Sequence, residues 1–186
     1  SLNQEKNTER YYVYVKGNVT FTSDSISDAI IAANEQMGVV VGDDSQYVWK
    51  RSRKASQGAL SVSTGEEDAA SGSIAQCVNA MLLREGYSTN VSALMTQGQT
   101  PKQILIDTLK DASVLDLTGC TIDEILYYVS NGSPVFAMTG SNDAVLIVGY
   151  DASSILVYDP VSGTTARQLI TEADDLFAKA GNVYFT

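Results

Sequence analysis

Between Thr139 and Pro160 the chain holds two apolar runs of strand length, Ala144-Val145-Leu146-Ile147-Val148-Gly149-Tyr150 and Ser154-Ile155-Leu156-Val157-Tyr158. A short turn punctuated by Asp151 and Ser153 separates them, and a third run, Pro134-Val135-Phe136-Ala137-Met138, comes just before. Three adjacent strands this apolar need cover on both faces. The rest of the chain therefore has to supply helices that pack on them, which makes this stretch the organiser of the fold.

Composition narrows the remaining choices. At 186 residues with 44% hydrophobic and 18% charged side chains, the chain can build a sizeable core and is not of disordered type. It has no apolar run long enough to cross a membrane as a helix. It opens on Ser1 without a basic, apolar leader, as expected of a piece of a longer protein. Histidine is absent, so neither a Ser-His nor a Cys-His nucleophile can be assembled from this chain alone. Two cysteines, Cys77 and Cys120, are too few for a thiolate metal cluster. They are one disulfide or two buried thiols; the apolar helical setting of Cys77 favours the thiols.

The net charge of -10 is unevenly placed. Residues 1–60 carry seven basic and seven acidic side chains, whereas residues 61–186 carry five and fifteen. Nucleic acid is excluded as a natural partner, and a basic peptide or a cation suits the second part better. The plain alternative is that the carboxylates keep a surface module soluble. The basic cluster from Lys50 to Lys54 reads as a solvated strand end rather than a nucleic-acid patch.

In chain order, Tyr11-Tyr12-Val13-Tyr14-Val15 and Val19-Thr20-Phe21-Thr22 flank Lys16-Gly17-Asn18 as a hairpin. Ser25 or Ser27 caps a helix with Ala29, Ile30, Ala33 and Met37 on its apolar face, stopped by Gly38. Val39–Val41 and Tyr47–Trp49 form a second hairpin, so residues 1–58 make a ββαββ unit. Residues 59–72, rich in Ser, Gly and Ala, read as a linker to residues 73–186. There the spacing predicts a buried helix from Ser73 to Gly86, a second started by Thr100-Pro101 and running through Ile104, Leu105 and Leu109, and a third opened by the capping box Thr121-Ile122-Asp123-Glu124. After the apolar strands, Thr171 caps a short helix to Gly181, and residues 182–185 are a last strand. Helices first and sheet afterwards is an α+β order.

Four motifs in this order carry a resemblance: Met81-Leu82-Leu83 closing on Gly86; Thr121-Ile122-Asp123-Glu124-Ile125-Leu126 with Gly132-Ser133-Pro134-Val135; Ala144-Val145-Leu146-Ile147-Val148-Gly149-Tyr150-Asp151; and Val157-Tyr158-Asp159-Pro160. Residues 65–186 resemble the papain-fold peptidases that cleave double-glycine leader peptides, together with their bacterial surface relatives. The resemblance implies a half-helical, half-antiparallel-sheet domain, an extracellular or cell-surface address and an extended peptide as ligand. Measured from Gly86, the family's nucleophilic Cys falls on Ser73, while Cys77 falls on a second, non-catalytic small position of the same helix. The family's base, a His before Ala-Val, falls on Asp143, its orienting Asp or Asn before Pro is kept as Asp159, and its oxyanion-hole Gln corresponds to Glu67.

Three of the four positions thus depart from the peptidase pattern. A serine hydroxyl needs a base that titrates near neutrality, and an ordinary aspartate is roughly three units too weak. A Glu at the oxyanion position puts negative charge where negative charge must develop. The expectation is therefore a peptidase-like domain without catalytic residues, acting as a binding or scaffolding module for a peptide or protein. Glu67, Asp143 and Asp159 together are also a candidate oxygen site for calcium or magnesium. Two alternatives remain: a peptidase or acyl-transfer enzyme whose base comes from elsewhere, and a purely structural spacer. As a bland alternative, Ser73 is a helix N-cap.

Overall fold

A computed structural model of the chain describes residues 9–65, 71–110 and 114–186 and divides into two compact units between Arg53 and Lys54. Among the described residues it is an α+β protein with six helices and two antiparallel sheets, one of four strands and one of five.

In the first unit, β1 (Tyr11–Val15) and β2 (Asn18–Ser23) precede helix α1 (Ile26–Gln36), and β3 (Val39–Val41) and β4 (Tyr47–Trp49) follow it. The sheet runs β2-β1-β3-β4. Lys16 and Gly17 both take positive φ, 51° and 81°, which matches the twist of a two-residue hairpin. Val13 lies opposite Val40, and both are fully buried together with Ala29, Ile30 and Ala33 of α1. Ser25 is the N-cap, its side chain accepting from the Asp28 N–H.

Met37 departs from the sequence expectation. It lies beyond the helix face, left-handed at φ 59° and 78% exposed, as the C-cap. The glycine beside it serves another purpose: a Cβ on Gly38 would stand 2.5 Å from the Tyr14 carbonyl oxygen. Close approach to β1 claims Gly38, and the left-handed position is left to methionine.

In the second unit, α2 (Ser73–Arg84), α3 (Val91–Thr96), α4 (Pro101–Thr108) and α5 (Ile122–Ser130) precede β5 (Val135–Met138), β6 (Ala144–Tyr150), β7 (Ser154–Asp159) and β8 (Thr164–Leu169). Helix α6 (Ile170–Lys179) and β9 (Tyr184–Phe185) complete it, and the sheet runs β8-β7-β6-β5-β9. Register sorts the side chains between two faces. Phe136 lies opposite Leu146 and Phe185, and Leu146 opposite Tyr158. All four join Ala75, Cys77, Val78 and Leu82 of α2 and Ile104 and Leu105 of α4 in one buried cluster. By alternation Val135, Ala137 and Ile147 face the other way, where α5 packs on β5 and β6. Tyr184, opposite Ala137, meets Phe177 of α6 edge-on at 5.8 Å.

The capping box is complete: the Thr121 N–H donates to Glu124 Oε1 at 2.8 Å, and the Glu124 N–H donates to Thr121 Oγ1 at 3.4 Å. Thr100 caps α4 with Pro101 at its start. Thr171, expected as a cap, lies instead inside α6, whose N-cap is Leu169 without a side-chain bond. The Ile170 N–H is already satisfied by the Ser153 carbonyl, so that donor needs no hydroxyl. Helix α3 and strand β8 were not expected from the sequence. β8 is exposed on both faces and carries no apolar alternation to reveal it.

The stretch before α2 starts as a partner of β6. The Gln57 N–H donates to the Tyr150 carbonyl and the Tyr150 N–H returns a bond to Gln57, while the Leu60 N–H donates to Val148. These pairs bring backbone against Gly149, where a Cβ would stand 2.6 Å from the Gln57 carbonyl oxygen and 2.7 Å from Leu156 Cδ1. Gly149→Ala is therefore expected to destabilise the protein by about 1–3 kcal/mol in chemical denaturation. Gly140→Ala, where an added Cβ meets nothing within 4 Å, should lie within about 0.5 kcal/mol of the unsubstituted protein.

Candidate functional site

The start of α2 meets the start of β6. Gly72 is the N-cap of α2, at φ 92°, and makes no side-chain cap; Ser73 is the first helical residue rather than the cap that local chemistry suggested. Its hydroxyl is turned across the fold. Ser73 Oγ donates to Asp143 Oδ1 at 3.2 Å and accepts from the Ala144 N–H at 3.0 Å. Two residues 70 and 71 positions away in sequence are thus held by one buried side chain. The α2 dipole favours the Asp143 carboxylate there.

Asp159 is placed differently. Its Oδ1 accepts from the Val161 N–H at 2.9 Å, closing the turn after β7, and among the described residues it bonds neither Ser73 nor Asp143. It still reaches the same helix electrostatically. Burial pushes the Cys77 thiol far above its usual range, and the Asp159 charge adds to the shift. Cys77 and Cys120 are both buried and form no disulfide. Glu67 lies outside the described residues, and among those described no three His, Cys, Asp or Glu side chains come together as metal ligands.

Beside the Ser73–Asp143 pair lies a groove of about 490 Å³ lined by Ile74, Met95, Phe136, Met138, Val183 and Phe185. Gly140, Ser141 and Lys179 also line it, and Gly140 and Ser141 precede Asp143 by three and two residues. The apolar runs foretold Phe136 and Met138. Met95 was out of reach, because the stretch that forms α3 has no apolar period long enough to mark a helix. Gln76, one turn into α2, is 2% exposed, and among the described residues its Oε1 has no hydrogen-bond partner.

No family model matches the chain, and neither the curated proteins nor the solved structures contain a match to it.

Two measurements test this description. Ser73→Ala deletes the acceptor of a buried N–H and should cost about 1–2 kcal/mol by chemical denaturation. Ser73→Thr, which keeps the hydroxyl, should recover part of that loss. Because the Cys77 thiol is held protonated, native protein should resist iodoacetamide from about pH 7 to about pH 9 and react only on unfolding. Rapid native alkylation would show Cys77 to be accessible as the thiolate.

Proposed function

We propose that residues 73–186 are a papain-like domain that has lost peptidase chemistry and serves as a peptide-binding module of a longer bacterial surface or secreted protein. The observation that carries this reading is the state of Ser73. Its proton goes to Asp143 and a lone pair accepts from the Ala144 N–H, so the oxygen at the nucleophile position works as a buried latch between helix and sheet. An aspartate is a poor base for a serine hydroxyl, and the nearby Cys77 is sealed in the core. The order of elements supports the papain-like reading: a buried helix whose first residue touches the start of a central antiparallel strand.

Binding survives the loss of chemistry. The groove beside Asp143 accepts a large apolar side chain, and the exposed Asp143 carboxylate favours a basic residue next to it. The ligand in this reading is an extended peptide that pairs a basic with an apolar side chain.

The test has two arms. Incubation with a fluorophosphonate and with a thiol-directed peptidase inhibitor should leave the protein unlabelled; stoichiometric labelling lost in Ser73→Ala would establish an enzyme instead. Titration with a Lys-Leu-Lys-Leu peptide, followed by methyl NMR, should shift Ile74, Met95 and Met138, and Asp143→Asn should weaken binding about threefold or more. Unmoved methyl signals would leave the structural spacer as the reading.

A further inference from the structure

The two edges of the five-stranded sheet are treated differently. At β9 the edge is covered: the Leu115 N–H donates to Thr186, the Thr186 N–H returns the bond to Leu115, and the Leu117 N–H donates to Tyr184. At β8 it is open. Among the described residues no strand pairs with the outer side of β8, and five of its six residues are exposed. Thr164-Thr165-Ala166-Arg167-Gln168-Leu169 contains no proline, pairs with β7 along its whole length without a bulge, and has one charge, Arg167, which is tied to Asp151. Among the described residues, proline, a bulge and a covering strand, which commonly blunt an edge, are missing here.

The register shows which backbone groups point away from β7. Ile170 donates its N–H to the Ser153 carbonyl, and in this register Ser154 lies opposite Leu169, so Ser153 and Ile170 are a hydrogen-bonded pair. Pairing alternates along an antiparallel ladder, so Thr164, Ala166 and Gln168 turn their backbone groups toward β7. Thr165, Arg167 and Leu169 turn theirs outward. Around this row the charge is one-sided. Residues 151–175 hold Asp151, Asp159, Glu172, Asp174 and Asp175 against Arg167 as the sole basic residue.

We infer that β8 is a docking edge for an extended basic peptide, which adds to the sheet as a further antiparallel or parallel strand through the outward N–H and C=O groups of Thr165 and Arg167 and the outward N–H of Leu169, whose carbonyl serves α6 as its N-cap. Backbone pairing supplies the attachment, and the flanking carboxylates select lysine or arginine. A second copy of this chain could use the same backbone groups but brings a charge of -10 with it, which opposes self-pairing. This edge is separate from the groove beside Asp143, so its fate is independent of the preceding proposal.

The probe is a peptide of about eight residues alternating lysine with valine, compared with its glutamate counterpart. Amide hydrogen exchange read by NMR should show new protection at Thr165, Arg167 and Leu169 with the lysine peptide. Affinity should fall about tenfold or more with the glutamate peptide, and should also fall as salt rises from about 50 mM to about 500 mM. Thr165→Pro removes one outward N–H and none that faces β7, so it should abolish the protection while the amides of Ala166 and Gln168 keep theirs. Thr165→Val, which retains the N–H, should bind as the unsubstituted protein does. The inference is overturned if the lysine peptide protects other amides or none, if both peptides bind equally, or if Thr165→Pro binds normally while folded. Concentration-dependent protection of the same three amides without peptide would overturn it in favour of a second copy.

Discussion

Strand β6 is apolar toward both faces of its sheet, and the second unit is built to keep both from water. Leu146 and Val148 pack into the α2 and α4 layer, Ile147 packs toward α5, and all three are fully buried. A strand of this kind cannot lie at a surface. It has β5 on one side and β7 on the other for the length of the ladder, and where β5 ends Gln57 and Leu60 take over the pairing. Gly149 marks the crowding that results, because only a residue without a Cβ lets that segment and Leu156 approach together. At about 25 cal/mol per Å² of apolar surface removed from water, a strand buried on both faces contributes more than any surface ion pair can.

That burial also decides the chemistry of the candidate site. Packing α2 on β6 brings Ser73 to Asp143 and Ala144, and the hydroxyl satisfies a strand-end N–H that would otherwise be buried without a partner. The same packing places Cys77 in the core, where desolvation holds the thiol protonated. A serine nucleophile needs a base that titrates near neutrality, and a cysteine nucleophile needs an accessible thiolate. The chain has no imidazole to supply the base; the Ser73 hydroxyl bridges helix and strand, and the Cys77 thiol lies in the core.

Charge is spread on the outside of this arrangement. Asp143, Asp159 and Asp175 are exposed, while Glu124, the one deeply buried carboxylate among the described residues, is held by the capping box of α5. Asp174 is the partial exception: desolvation, with Asp175 and Asp123 nearby, holds its carboxyl above the usual range. Where a carboxylate is given hydrogen-bond donors the shift reverses. At Asp116 burial is outweighed by bonds from Thr118 and Lys102, and the carboxyl stays below its usual range.

What could be read from the amino-acid order alone was local. Ser25, Thr100 and the Thr121–Glu124 pair declared three helix starts, because a cap needs only partners two or three residues away. The period of apolar residues marked α2 and strands β5 to β7, and the lack of histidine removed whole classes of catalysis. Tertiary structure decided everything that depends on approach between distant segments. It turned the Ser73 hydroxyl away from its own helix toward β6, assigned the left-handed cap to Met37 because β1 had claimed Gly38, and drew residues 57–60 against β6. It also made a strand of residues 164–169, whose partner β7 supplies backbone bonds that no side-chain pattern encodes. Local hydrogen bonds leave their mark on neighbouring residues. Close packing and strand pairing are satisfied between segments whose proximity only the completed fold creates.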